Sequence, residues 1–414
     1  MIRTNALRIS PLLGQPGFLR LALAVVLFNA GYSIYIFLFN FFLESQQQHE
    51  SRMGALTGAM VLGGALGALP VGRLANRLGS VRTLAMSLAG AGILLGLRLL
   101  PVGFLLQWLL AAASGVFLAG WTVLIFPLIA GLVPQDRRDG AFQIFYGLAT
   151  GAGCLGAIVG GNFPSLCARF LPMLLLTNRE RLGLLAAAAL VCLSAFSLPR
   201  MQTAEPETAL LPLRPSRRLT GLLTLSAWWA FLLGAINPFS GIYFLNQFHM
   251  QVSAIGWYFF VVQAVVALGL LAAGASRLSS LPAWKLFLGA QLLVALSILG
   301  LGTRLLWFAQ AAYLLFMLAQ QFSQPAMQSL LLHRASQTVR NSIAGWNTLF
   351  ATLAQSISAP VFGLLWAHWG YSAVLPLLAL LTFLTTAAVA AIPMSWAHPS
   401  PDHAPNRISE EYPQ

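Results

Sequence analysis

The sequence predicts an all-α polytopic membrane protein, with twelve transmembrane helices in two pseudo-symmetric six-helix halves. Three observations carry that prediction. Of the 414 residues, 58% are hydrophobic and only 8% are charged. A soluble domain has about 25% charged residues, so this chain cannot cover itself with a water-compatible surface. The apolar residues also gather into twelve stretches, most of them near or above the roughly 20 residues a helix needs to cross a bilayer. Finally, the punctuation between those stretches recurs at a nearly constant offset.

The spans fall at 18–43, 51–74, 81–100, 104–132, 139–164 and 182–198, then at 219–246, 252–276, 284–302, 304–332, 340–366 and 371–393. The domains read from them are a six-helix half over 1–198, a cytoplasmic linker over 199–218, a second half over 219–394 and a disordered tail over 395–414. The linker is the one internal stretch rich in proline, glutamate and arginine together. The polar N-terminal lead, the long apolar run behind it and the lack of a small-residue cleavage site argue against a cleavable signal.

Orientation follows from the basic residues, which favour the cytoplasmic side. With the N-terminus inside, most of the 23 Lys+Arg fall on inner links, leaving Arg52, Arg98, Arg169, Arg179, Arg181 and Arg304 outside. Both termini are then cytoplasmic, and the expected location is the bacterial inner (plasma) membrane. The net charge of +13 is spread between apolar segments rather than gathered into a stripe, so no nucleic-acid partner is expected. Cys154, Cys167 and Cys192 have neither metal-ligand nor disulfide spacing, and neither a metal nor a cofactor is expected.

The internal repeat rests on glycines. Gly54 and Gly72 bracket the second span, and Gly256 and Gly274 bracket the eighth, both 202 positions on. At an offset of 203, the run Gly156 to Gly161 in the fifth span aligns with Ala359 to Leu364 in the eleventh, which contains Pro360 and Gly363. Glycines at four-residue spacing, including Gly147/Gly151 and Gly156/Gly160, let helix backbones approach closely.

Between the second and third spans lies a polar island, Gly72-Arg73-Leu74-Ala75-Asn76-Arg77-Leu78-Gly79-Ser80-Val81-Arg82. It resembles the signature loop of the major facilitator superfamily, with Asn76 where the family usually has an aspartate and Ser80-Val81 where basic residues are common. The fifth-span glycine run resembles that superfamily's antiporter motif, with Ala152 and Ala157 departing from it. The resemblance implies two six-helix halves rocking by alternating access. It also implies a cytoplasmic gate, which here would comprise Gly72, Asn76, Arg77, Gly79, Arg82, Asp136, Arg138, Asp139 and Arg340. In the family the loop aspartate meets the N-terminal end of the eleventh helix. Asn76 brings no charge to that helix dipole, which would weaken the lock by about 0.3–1 kcal/mol.

Candidate binding residues come from polarity inside the spans. Asn29, Tyr32, Ser33 and Asn40 share one side of the first span at helical spacing. The seventh offers Trp229, Asn237 and Ser240, with Pro238 able to break the helix there. The tenth offers Tyr313, Gln320 and Gln324, the eleventh Asn347 and Gln355, and the fifth Tyr146. Amides bring donors and acceptors, and aromatics bring apolar faces. The resemblance implies that these spans border a central cavity, and Gly151, Gly156, Gly160, Gly161, Pro360 and Gly363 are the packing residues beside it.

None of the ten acidic residues or six histidines falls in the middle of a span, so the intramembrane carboxylate or histidine of a proton relay is missing. Glu44, at the outer end of the first span, is the nearest candidate. The function expected is a secondary transporter, not an enzyme, that moves a small neutral or amphipathic organic solute in the direction of efflux or export. Facilitative uptake of a metabolite without proton coupling is the alternative, followed by a polytopic membrane enzyme or a non-transporting sensor. The expected partners are the small-molecule substrate and the lipid bilayer, with a coupling ion as a further candidate.

Overall fold

A computed structural model describes residues 16–133, 138–199, 217–274, 282–332 and 337–391. All its regular structure is helical: α1 (Pro16–Ser45), α2 (Glu50–Leu78), α3 (Ser80–Leu97), α4 (Phe104–Leu132), α5 (Arg138–Phe170), α6 (Leu176–Phe196), α7 (Arg217–Gly234), α8 (Ser240–Phe248), α9 (Val252–Gly274), α10 (Ala283–Leu301), α11 (Leu306–Leu332) and α12 (Gln337–Ala391). Eight described stretches are long and apolar enough to cross a membrane, the 46-residue run Gly345–Ala390 counting as one. This is an integral membrane protein.

Twelve helices do not correspond one to one with the twelve spans. The seventh span is two helices, because the chain leaves helical geometry between α7 and α8 around Pro238. Proline has no N–H to continue the ladder. The eleventh and twelfth spans form the single element α12, which bends at Gly370 (φ 68, ψ 174). Glycine adopts that positive φ without a Cβ clash.

The polar island is also shorter than a loop. Helix α2 runs on to Leu78 and α3 starts at Ser80, so the whole reversal falls on Gly79 (φ 88). The Gly79 N–H donates to the Ala75 carbonyl at 2.9 Å, which satisfies one of the carbonyls that a helix end leaves open.

The described helices group into two compact units, 1–265 with 344–371, and 266–343 with 372–414. In the first, α1 packs along α5 and α6, α2 along α4, and α3 against α4 and α6. In the second, α10 packs along α11, where the buried Gln291 amide donates to Ser323 Oγ at 3.3 Å.

Within the first unit the repeat becomes physical. A methyl group on Gly256 would come within 2.6 Å of the Ala157 carbonyl and 3.0 Å of the Gly161 Cα. One on Gly54 would overlap the Ala359 carbonyl and come within 3.2 Å of the Gly363 Cα. Gly161 faces the Val252 carbonyl just as Gly363 faces the Glu50 carbonyl. Each pair of equivalents is 202 residues apart. The register of the fifth and eleventh spans is therefore 202 rather than the 203 read from their glycine runs, which pairs Ala157 with Ala359 and Gly161 with Gly363. The linker 200–216 and the tail from 392 lie outside the described residues.

Candidate functional site

On α1, Tyr32 stacks on Phe28 with centroids 5.6 Å apart, and Phe28 stacks on Trp121 of α4 at 4.0 Å. Phe28 is buried while Tyr32 and Trp121 are half-buried. The three rings form an aromatic ladder joining the first and fourth spans. Asn29 beside it is half-buried and donates to its own helix at the Val25 carbonyl, 2.8 Å away, leaving its side-chain oxygen for another group.

Ser33 plays a different part. Its hydroxyl donates to the Gly153 carbonyl of α5 at 2.7 Å, and Gly156 lies against its Cβ, where a methyl would come within 2.6 Å. A related junction recurs in the second half with the serine on the other helix: Ser358 of α12, 202 residues after Gly156, donates to the Phe231 carbonyl of α7 and lies against Gly234, 201 residues after Ser33. The two serines join first to fifth and seventh to eleventh spans. A methyl on Gly160 would come within 3.1 Å of the Phe37 ring of α1, while Gly151 and Gly147 have open space on their Cβ sides. Pro360 packs its ring where a methyl on Gly58 would stand.

At the break between α7 and α8, Asn40 donates to the Pro238 carbonyl at 2.6 Å and Ser240 to the Asn237 carbonyl at 3.1 Å. Side chains thus serve carbonyls that the interrupted helix leaves open. Asn237 is exposed, and Ser240 and Trp229 are buried. On α12, Asn347 is 7% exposed and its Oδ1 is sealed with no hydrogen-bond partner among the described residues; Gln355 is half-buried. Tyr146 of α5 is 66% exposed. In the second unit, on α11, Tyr313 is buried with its ring 6.1 Å from Phe316. Gln320 is 8% exposed with its Oε1 sealed and unpartnered among the described residues, while Gln324 is exposed.

The gate residues are described only on one side. Gly72 is half-buried, and Asn76, Arg77 and Arg82 are exposed around the Gly79 reversal. Asp136 lies outside the described residues, and so do the side chains of Arg138, Asp139 and Arg340.

The end of the first unit that carries the 46–49 link is tightly closed, which residue patterns do not reveal. Tyr371 donates to Glu50 Oε1 at 3.1 Å and sits edge-on to Tyr243 (5.2 Å) and against Trp366 (4.9 Å). Trp366 donates to the Ala235 carbonyl at 3.1 Å, beside the α7–α8 break. Glu44 is half-buried and hydrogen-bonds with Asn246. Trp121 also escapes sequence reasoning, because a tryptophan in an otherwise apolar span reads as lipid-facing. The signal that could find it is Phe28, one helical turn before Tyr32.

The chain matches a known family. A family model described as Major Facilitator Superfamily covers residues 21–359, and the chain belongs to that superfamily, whose members are transporters. Among solved structures it is similar to the nucleoside transporter NupG (TM-score 0.71, 12% identity, covering 90% of this chain and 98% of that one). It is also similar to a D-xylose–proton symporter (0.70, 15%, 90% and 96%). A third is a bacterial homolog of the human lysosomal transporter Spinster in an inward-facing, unoccupied conformation (0.68, 16%, 90% and 95%). At these identities the likeness is one of fold. No curated protein matches the chain by sequence.

Proposed function

We propose that the chain is a secondary carrier that moves a small neutral or amphipathic organic solute by alternating access, in the direction of export. The observation carrying the solute class is the sealed amide oxygen Asn347 Oδ1, which has no hydrogen-bond partner among the described residues. A buried acceptor without a donor is costly, and a solute bearing hydroxyl or N–H groups would supply the donor. The Trp121–Phe28–Tyr32 ladder would receive its apolar face. The superfamily members it resembles in fold include carriers named for a nucleoside and a sugar, both of them rich in such donors. Export is supported by the glycine run of the fifth span, and cytoplasmic termini by the arginine distribution.

Facilitated passage without proton coupling is the second reading, favoured because the side chains assigned to the solute face are amides, hydroxyls and aromatics. The test is a thermal-shift screen of a solute library followed by counterflow in proteoliposomes with the solutes that stabilise the protein. Counterflow that is weakened in Asn347→Ala and Gln320→Ala supports the reading. Unchanged counterflow in both, or in Asn29→Ala, Asn237→Ala and Gln324→Ala together, removes the pocket assignment.

A further inference from the structure

Arg98 follows the last residue of α3, and a long cationic side chain at the end of a membrane helix ordinarily snorkels towards water. Here it turns inward and is 2% exposed. Its guanidinium carbon lies 4.3 Å from the centroid of Phe39 and 5.8 Å from that of Tyr35. Its Nη1 approaches the Met60 sulfur at 3.4 Å, and its Nε is sealed with no partner among the described residues. The Tyr35 hydroxyl donates elsewhere, to the Leu95 carbonyl at 2.9 Å.

Arginine does not give up its proton in a protein, so this is a standing buried charge. Among the described residues no carboxylate pairs with it, and the groups packed on its guanidinium are the rings of Phe39 and Tyr35 and the Met60 sulfur. Glu180, a buried carboxylate of the same unit, is hydrogen-bonded to Ser45 instead. Arg52, a second cation at this end of the helices, is engaged elsewhere: it donates to Gln107 Oε1 at 3.0 Å, while Gln107 donates to the Arg98 carbonyl at 3.4 Å. A charge buried without a counterion is strongly unfavourable unless something pairs with it. Within a membrane such a group marks a binding or transport site by default.

We propose that Arg98 recognises the anionic group of the transported solute, so that the substrate is an amphipathic carboxylate. This rests on the carrier reading and narrows its solute class. Phe39 and Tyr35 hold the guanidinium by its face, and the unpartnered Nε belongs to the edge through which arginine takes a carboxylate in two parallel hydrogen bonds. Tyr32, about one helical turn before Tyr35 on α1, belongs to the aromatic ladder that takes the apolar body. The pairing requires the region around Arg98 to open in one state of the transport cycle.

The test uses the full-length protein in nanodiscs of phosphatidylcholine alone, with thermal unfolding read against benzoate and benzamide, and against 3-phenylpropionate and its amide. The carboxylates should stabilise the wild type in a saturable way and the amides should not. Arg98→Gln should weaken the apparent carboxylate affinity by at least about tenfold, as expected for loss of a charge-assisted bidentate pair. Arg98→Lys, which keeps the charge without the planar fork, should fall between, and Arg304→Gln should match the wild type. If Arg98→Gln does not fold, Arg98→Lys decides: wild-type carboxylate affinity in it overturns the proposal. Acids and amides binding equally, or amides alone binding, overturns it while the carrier reading survives. Stabilisation by phosphatidylglycerol nanodiscs without solute, lost in Arg98→Gln, would assign the site to a lipid headgroup and also overturn it. If no acid, amide, uridine or xylose binds, both readings fall.

Discussion

The hydroxyl of Tyr371 donates to the carboxylate of Glu50 across 3.1 Å, joining residues 321 apart in the chain. It ties the start of α2 to α12 just beyond the Gly370 bend, at the end where Tyr243 and Trp366 also close on Tyr371. A hydrogen bond to a charged acceptor contributes about 1.5–3 kcal/mol, enough to move a two-state equilibrium by tenfold or more. Tyr371→Phe should therefore open this end, and Glu50→Gln, which keeps a neutral acceptor, should open it less. Spin labels at the exposed Gln46 and Gln251, in a cysteine-free background, would report a longer and broader distance distribution. Unchanged distributions in Tyr371→Phe would mean that the bond does not hold the end closed.

The glycine contacts give a paired prediction. At Gly54 and Gly256 a methyl group has no room, and the obstacles are backbone atoms that cannot swing away. Gly54→Ala and Gly256→Ala should each destabilise the closed arrangement by about 1–3 kcal/mol, the usual range for overpacking. Gly151→Ala, in open space inside a helix, should be neutral or stabilising by up to about 1 kcal/mol. Thermal unfolding of the three variants checks this, and a Gly151→Ala loss as large as the others would show that the contact geometry is not the cause.

Much of the architecture is legible in the sequence because hydropathy and punctuation are local. Span positions, the break at Pro238 and the 202-residue relation of Gly54 to Gly256 need no knowledge of neighbours. The Gly79 reversal reads as an eleven-residue island because polar residues on a projecting helix end look like a loop. The register of the fifth and eleventh spans slips by one because glycine-rich runs align almost equally well at adjacent offsets. Arg98 and Glu180 are least legible. Both sit at helix ends where charges ordinarily meet water, and both are buried by side chains from other helices. Ser33 shows the opposite limit: its spacing places it with the binding amides, yet its hydroxyl joins α1 to α5.

Asn347 separates binding from stability. Because its Oδ1 has no partner among the described residues, replacing the amide with an apolar isostere removes a desolvation cost without breaking a bond at that atom. Asn347→Leu should leave the melting temperature of the solute-free protein unchanged or raise it, while reducing the shift produced by a bound solute. A large drop without solute would place the residue in the packing of α12 instead.

Glu180 lies ahead of the apolar stretch 182–198 and is 1% exposed, with the Ser45 hydroxyl donating to its Oε2 at 2.5 Å. Burial pushes its carboxyl up to about 7, and the Ser45 bond pulls it partly back. Its folded pKa stands above its ordinary carboxylate value, so the folded state holds the proton more tightly than the unfolded chain does. The stability this confers is full below the ordinary value and is lost as pH rises through about 7. The wild type should therefore melt at a lower temperature at pH 8 than at pH 6. Glu180→Gln, permanently neutral, should remove this component and be the more stable protein at pH 8. Ser45→Ala, which withdraws a bond favouring the ionised form, should move the transition to higher pH. Melting curves at both pH values decide the matter: a wild type and a Glu180→Gln variant with the same pH dependence would show that this carboxyl does not titrate in the window.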